Sequence, residues 1–185
     1  MKKIILLSLL ILLFYLLTSV YTQSSVNWEK QIIYFVLIDR FHNGDVKNDL
    51  NSNKNSLYAY HGGDLQGIID KLPYLQKLGV TTLWLSPVFD NRDKNFYKYS
   101  AYHGYWVKDF YKVDEHIGDL QLLKKLSKEL KKRGMYLILD MVVNHIDYDS
   151  PMLKKHPDWF HKYGDVLKWH DQFQLLNHRV HGLPD

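Results

Sequence analysis

Three short apolar runs, separated by longer helical and polar stretches, set the rhythm of the chain. Gln31 to Asp39 (QIIYFVLID), Val80 to Leu85 (VTTLWL) and Met135 to Val143 (MYLILDMVV) are nearly continuous in apolar, β-forming residues. Runs of this kind predict strands buried on both faces, as in a parallel sheet covered by helices. Between the first two, Ile68, Ile69, Leu72, Leu75 and Leu78 fall on one face of a helix, with Asp64 as its N-cap and Gly79 as its stop. Pro73 lies inside that pattern and predicts a bend or break. Between the second and third runs, Asp119 opens a helix whose Leu120, Leu123, Leu126 and Leu130 face inward, and Gly134 ends it. Its Lys124, Lys125, Lys128, Lys131, Lys132 and Arg133 form a solvated basic face that needs no functional reading.

Strand, helix, strand, helix, strand is a right-handed βαβαβ series with a parallel sheet. A doubly wound sheet and a (β/α)8 barrel both begin this way. No Gly-rich phosphate loop of the G-x-G-x-x-G or G-x-x-x-x-G-K type follows the first strand, so the pattern favours the barrel. Two connections are too long to be mere linkers: the polar loop Arg40 to Tyr60, with the dense stretch HNGDVKND, and the loop Val88 to His116, which carries the aromatic cluster AYHGYW. After Ile146 no helical or strand period is evident, and the stretch reads as a loop domain inserted after strand three.

Composition narrows the class. The chain has 185 residues, no cysteine, 24 Lys plus Arg against 20 Asp plus Glu, and an apolar fraction of 46%. This describes a globular domain, neither a disulfide scaffold nor a disordered tail. The length is short of the roughly 200 to 400 residues of a whole (β/α)8 barrel. Lys2 and Lys3, then the apolar run Ile4 to Leu17 and a small, polar stretch, predict a signal peptide over residues 1–23. The run is shorter than a bilayer span, which favours cleavage; an uncleaved N-terminal membrane anchor is the alternative. The expected location is secreted and extracellular, or periplasmic in a Gram-negative cell, with no stable membrane association once the leader is cleaved. Loss of Lys2 and Lys3 takes two charges from a formal +4, which leaves no basic patch for nucleic acid.

The residues themselves resemble a known family. IIYFVLIDRF (Ile32 to Phe41), GGDLQGIIDKLPYL (Gly62 to Leu75), LWLSPV (Leu83 to Val88), AYHGYWVKDFY (Ala101 to Tyr111) and RGMYLILDMVVNH (Arg133 to His145) look like the α-amylase family, glycoside hydrolase family 13. The closing GLPD, Gly182 to Asp185, is similar to a signature in the family's inserted domain. The resemblance implies an incomplete (β/α)8 TIM barrel: its first three strands over residues 24–145, then the start of a calcium-binding insert over 146–185. It also implies an α-1,4-glucan substrate and retaining chemistry, which requires a nucleophilic carboxylate and a general acid about 5 to 5.5 Å apart. In the family these follow strands four and five, with a stabilising Asp after strand seven. None carries over to a position here, so no catalytic residue is assigned and the chain alone is expected to be inactive.

The same resemblance assigns binding roles. Asn144 and Asp185 would be calcium ligands joining barrel and insert, with no further acidic ligand evident because the nearest matching position is Leu176. Asp140 would support the active site. His145, His103 and Tyr105 would contact sugar beside the cleaved bond, with Trp106 as support and Gln66 as a further sugar contact. Sugar rings present C–H faces to aromatics and hydroxyls to polar groups, so the residue types suit the task. Asn43, Asp45, Asn48, Asp49, Gly62 and Asp64 resemble a second calcium site of cyclodextrin-forming and neopullulanase-like members. It is not an EF-hand, since Lys54 would stand where the bidentate Glu belongs. Each assignment has a plainer alternative: caps and turns for the Asn and Asp residues, an aromatic core for the AYHGYW loop.

Two functional readings follow. The chain is the N-terminal portion of a secreted α-glucan hydrolase, or a naturally truncated noncatalytic product that binds glucan or calcium. A small α/β binding domain unrelated to glycosidases is a third. Three strands of an eight-strand barrel leave an open sheet edge, so the isolated chain is expected to aggregate or stay partly unfolded.

Overall fold

The computed structural model describes residues 26–179 and 182–185, so the leader assigned to residues 1–23 lies outside the described residues. The chain divides into Met1–Gln31 and Ile32–Asp185. The described part of the first unit holds one 3-10 turn, Trp28–Lys30.

Within Ile32–Asp185, three parallel strands form one sheet: β1 (Ile33–Val36), β2 (Thr82–Leu85) and β5 (Tyr136–Leu139), in the order β1-β2-β5. Ile33 pairs with Thr82 and Thr82 with Tyr136, and the register continues evenly to Val36, Leu85 and Leu139. Each strand is shorter than its apolar run. β1 ends because the chain turns into the short helix α1 (Ile38–Phe41), whose first amide donates to Ser86 Oγ at 3.2 Å. β5 pairs only with β2, which ends before Pro87; the Asp140 amide makes the last rung to the Leu85 carbonyl at 3.2 Å. Met141 and Val143 are therefore exposed rather than buried in a strand.

Helix α2 (Leu65–Lys77) and helix α3 (Leu120–Lys132) cover one face of the sheet. Both start as predicted, with Asp64 accepting from Gly67 N and Asp119 from Leu122 N. Pro73 does not break α2, because Ile68, Leu72 and Leu75 are fully buried on both sides of it and hold the helix through the lost hydrogen bond. The core joins these residues to Val36, Leu83, Leu85, Leu126 and Leu130. Leu78 and Leu120, expected inside, are exposed at the helix ends.

The strands are not buried on both faces. In a parallel register, Phe35, Trp84 and Ile138 share the side away from the helices, as do Ile33, Thr82 and Tyr136. Phe35 is 45% exposed and Trp84 39%, and their rings meet edge to face at 5.2 Å. This face has no covering layer among the described residues.

The long aromatic loop is partly a hairpin. β3 (Phe89–Asn91) and β4 (Val107–Val113) pair antiparallel with two register irregularities, which the sequence reading missed. The stretch after Ile146 contains α4 (Met152–Lys155), a 3-10 turn (Pro157–Trp159) and α5 (Gln172–Asn177).

Candidate active site and metal centres

The C-terminal ends of parallel strands are where (β/α)8 enzymes place their chemistry, because loops of free length converge there. The AYHGYW loop comes to the end of β2 through a close approach that only glycine allows. Gly104 has φ +86, and a Cβ on it would lie 2.5 Å from the Pro87 carbonyl oxygen. That contact brings the ring-bearing residues beside the end of β5.

There the Tyr105 hydroxyl donates to Asp140 Oδ2 at 2.6 Å, and His145 Nε2 lies 2.9 Å from the Tyr105 carbonyl oxygen. Since a carbonyl only accepts, His145 carries its proton on Nε2, and Nδ1 is left to accept from Asn144 Nδ2 at 3.3 Å. His103 is arranged in the same sense: its Nδ1 accepts from the Tyr105 amide at 3.0 Å, so its Nε2 is the donor. Burial, with His145 nearby, lowers the His103 pKa from 6.5 to about 4, so the ring is neutral at neutral pH. Burial, followed by the hydrogen bond to Asp140, raises Tyr105 to about 12, which keeps its proton on the phenol.

The rings form a wall. His103 lies 5.9 Å from Tyr105 at an interplanar angle of 23° and meets Trp106 edge-on at 4.7 Å. Tyr105, Trp106 and His145, with Arg92, Phe96 and Tyr148, line a groove of about 520 Å³. Apolar ring faces beside neutral donors suit a ligand that is itself apolar on its faces and hydroxylated at its edges.

Several residues that hold this wall were not singled out from sequence. The Arg40 guanidinium sits 3.9 Å over the Tyr102 ring and donates to the Leu57 and Ala59 carbonyls. Asn91 Oδ1 accepts from the Trp106 amide at 2.9 Å, and the Asn91 amide donates to buried Asp114 at 2.9 Å. The only sequence signal for them was the presence of charged and amide residues at strand ends, which does not separate them from solvated neighbours. Gln66, by contrast, is not brought to the wall. It lies on α2, where its amide donates to Asp70 at 2.7 Å and accepts from Lys125 at 3.1 Å, so the opposed helix faces satisfy it.

The six-residue loop cluster divides into two roles. The Asp64 carboxylate is fully buried and spent on backbone, accepting from Gly67 N at 2.6 Å, Asp45 N at 2.8 Å and Gly44 N at 3.1 Å. These three bonds make it an anchor between the loop and the helix. Asp45 also caps locally, accepting from Lys47 N. The remaining residues converge differently: Asn43 Nδ2 donates to both oxygens of Asp49 at 2.7 and 2.8 Å. Gly62 has φ +86, and a Cβ there would stand 2.1 Å from Asp49 Oδ1. The Oδ1 atoms of Asn43 and Asn48 are buried without a hydrogen-bond partner among the described residues. Two orphaned amide oxygens beside a carboxylate are hard donors of the kind calcium takes.

Asn144 and Asp185 line one cavity of about 310 Å³ below His145, together with Trp159 and Phe160. Asp185 is tied to His161, whose Nδ1 lies 3.2 Å from its Oδ1 and whose amide donates to its carbonyl at 2.7 Å. The Ile146 amide donates to the Pro184 carbonyl at 2.8 Å. The segment ending in Asp185 is thereby tied to the stretch that follows Asn144. No group of three or more His, Asp or Glu residues suited to a metal occurs among the described residues, so a metal here would need amide or carbonyl oxygens beside a carboxylate.

Comparison with known proteins agrees with this geometry. The family model for "Alpha amylase, catalytic domain" matches residues 35–179. A cyclomaltodextrin glucanotransferase of Klebsiella oxytoca is 35% identical over 189 aligned positions, covering 88% of this chain and 29% of that protein. Among solved structures, an Anoxybacillus α-amylase superposes with a TM-score of 0.78 at 47% identity over 87% of this chain and 35% of its own. A Geobacillus thermoleovorans α-amylase, solved with acarbose, gives 0.73 at 45% identity, covering 87% and 34%. The chain thus spans about a third of the length of these relatives, and its three-stranded sheet is an incomplete (β/α)8 barrel. A family match across residues 35–179 and a shared fold at this identity lead to one conclusion: the chain belongs to the α-amylase catalytic-domain family of glycoside hydrolases.

Proposed function

We propose that this chain forms the first strands and part of the sugar-binding wall of a secreted glycoside hydrolase that cleaves α-1,4-glucans such as starch and maltooligosaccharides with retention. The observation that carries the reading is the coupling of the Tyr105 hydroxyl to Asp140 at 2.6 Å beside the imidazoles of His103 and His145. In this arrangement Tyr105 offers a ring face to one glucose unit. His103, neutral at neutral pH, offers its Nε2–H to a sugar hydroxyl, while His145 holds the Tyr105 carbonyl through its own Nε2–H. Asp140 is held in place by the phenol, ready to orient a cationic partner. The nucleophile and the general acid that retention needs are assigned to no residue of this chain; the proposal draws them from further strands of the barrel.

Calcium is part of the proposal. Asn43, Asn48 and Asp49 with the Gly62 carbonyl would hold one ion, and Asn144 with Asp185 would contribute to another. The bound ion would supply charge that fixes the loops; it takes no part in bond cleavage. The two partnerless amide oxygens support the first site.

The test is calorimetric titration of the chain with maltotriose, alongside Tyr105→Ala and His103→Ala. Binding by the parent chain, weakened about tenfold or more in each variant, is the expected result. Absence of binding by the parent, or equal binding by all three, would overturn the assignment. Extending the coding sequence past the codon for Asp185 tests the hydrolytic half, which requires an Asp, a Glu and a second Asp at later strand ends.

A further inference from the structure

Helix α3 buries Leu126 and Leu130 in the core, so its opposite side faces water along its whole length. That side carries Gln121, Lys124, Lys125, Lys128, Lys131 and Lys132, all exposed. At 3.6 residues per turn, Lys124, Lys128 and Lys131 fall in one row along its crest. Lys132 pairs with Glu129 at 2.6 Å, as does Arg133 at 2.7 Å, and Lys125 Nζ donates to Gln66 on α2 at 3.1 Å. Lys124, Lys128 and Lys131 have no hydrogen-bond or ion-pair partner among the described residues.

A merely solvated face does not need this distribution of charge. Residues 120–133 hold six cations against the single carboxylate of Glu129, a formal +5, whereas the whole chain totals +4. The positive balance of the chain therefore lies on one helix. Cations in the last turn complement the helix dipole, but Lys124 and Lys125 stand too early in the helix to gain from it. Lys124 with Lys128, and Lys128 with Lys132, are like-charge neighbours four residues apart, and Lys128 with Lys131 three apart; such pairs destabilise a helix. Interleaved glutamates would serve solubility and helicity better. Here the repulsion is left standing, and a bound polyanion relieves it.

We propose that this ridge docks a linear phosphate polymer, of the phosphodiester-linked polyol kind, and holds the protein on it. A rise of 1.5 Å per residue sets the three crest lysines roughly 6 and 4.5 Å apart along the axis, a row of point charges that a flexible chain of phosphates can follow. Helix α3 has no aromatic ring on which a base could stack, which favours a base-free chain over a nucleic-acid strand. Its apolar face, which an interfacial helix inserts into a bilayer, is taken up by the core, which favours a polymer over a lipid surface. The ridge lies on the helix side of the sheet and not at the strand ends, so docking leaves the groove at Tyr105 open. The inference does not depend on what that groove binds.

The experiment titrates the full chain with long-chain inorganic polyphosphate, the probe for a base-free phosphate chain, over a range of salt concentrations. Lys124→Gln/Lys128→Gln/Lys131→Gln clears the crest while keeping good helix formers. Lys94→Gln/Lys154→Gln/Lys162→Gln removes the same charge from exposed lysines elsewhere. Each lysine–phosphate contact adds about 0.7 to the slope of log affinity against log salt, so the crest variant is expected to flatten the slope by about 2 and to bind about 100-fold more weakly at about 0.1 M salt. The control triple is expected within about threefold of the parent. Absence of polyphosphate binding by the parent, undiminished affinity in the crest variant, or equal losses in the two triples would overturn the ridge. Tighter binding, at equal phosphate, of phosphatidylglycerol vesicles or of oligothymidylate would overturn it too, because the partner would then be a bilayer or a nucleic acid.

Discussion

Asp64 and Asp119 perform the same local task at the starts of α2 and α3, yet their surroundings differ enough to set their energies far apart. Asp119 is exposed and caps through one bond, to Leu122 N at 2.7 Å. Removing it by Asp119→Ala is expected to cost about 1 kcal/mol, the usual worth of an exposed cap. Asp64 is fully buried, and Asp64→Ala strands three amides: Gly67 N, Asp45 N and Gly44 N. Charge-assisted bonds to a buried acceptor are worth about 1.5 to 3 kcal/mol each. Gly44 is exposed and can turn to water, so the loss is expected near 3 to 5 kcal/mol. Hydrogen exchange reads both effects locally, without requiring reversible unfolding. A peptide covering the first turn of α2 should exchange about 150- to 5000-fold faster in Asp64→Ala, and the first turn of α3 about fivefold faster in Asp119→Ala. The α2 effect should persist in calcium and in chelator alike, since Asp64 is an anchor. Equal acceleration in the two variants, or an Asp64 effect that appears only with calcium, would refute the reasoning.

Further outcomes follow from the same structure. His103 has a folded pKa of about 4 against 6.5 unfolded, so between those values the unfolded chain binds a proton the native state refuses; stability is full above pH 6.5, falls by about 3 kcal/mol as pH drops towards 4, and then levels off. Denaturant midpoints across that window should show the slope in the parent and lose it in His103→Gln; an unchanged slope in the variant assigns it elsewhere. Gly62→Ala forces a Cβ against Asp49 at a residue with φ +86, and should destabilise the chain by about 2 to 4 kcal/mol and reduce the calcium-dependent rise in melting temperature to what the Asn144 and Asp185 site supplies. The same calcium response in both proteins would place the ion elsewhere. The sheet face of Ile33, Phe35 and Trp84, half-exposed among the described residues, should bind a hydrophobic dye and drive self-association in sedimentation, both reduced in Phe35→Ser. A monodisperse parent without dye binding contradicts that expectation.

The strands and helices were legible because burial imposes a period. Leu72 and Leu75 on α2, and Leu126 and Leu130 on α3, are where the apolar spacing places them, and the caps at Asp64 and Asp119 are local chemistry readable from adjacent residues. Strand ends were not legible. The run MYLILDMVV is apolar to its last residue, but its pairing stops at Leu139 because the partner strand stops at Leu85, a fact about another segment. The β3–β4 hairpin was hidden for the opposite reason: VKDFYKV and FDN alternate too little, and their pairing is irregular. In the site, His103, Tyr105 and His145 were named from their motifs, while the direction of Gln66 was not legible. A residue on a helix next to a motif takes the direction of the helix face, and that face looks towards Lys125.

What the sequence left most obscure is the means by which long irregular loops are held rigid enough to present a site. The structure answers with buried carboxylates. Asp39 accepts from His61 N and Gly62 N and pairs with Arg40; Asp64 gathers Gly44, Asp45 and Gly67; Asp114 gathers the amides of Asn91 and His116 and the His116 ring; Asp147 accepts from Asp149 N and pairs with Arg92. All four are buried. A loop without ladder hydrogen bonds must still satisfy its amides, and a carboxylate with four acceptor positions does so for two or three residues at once. Using an aspartate in this way commits its oxygens to backbone. This accords with the finding that, among the described residues, no group of three or more acidic or histidine side chains is suited to a metal. Acidity in these loops marks rigidity, whereas Asp140 at the strand end accepts from a phenol rather than from the backbone.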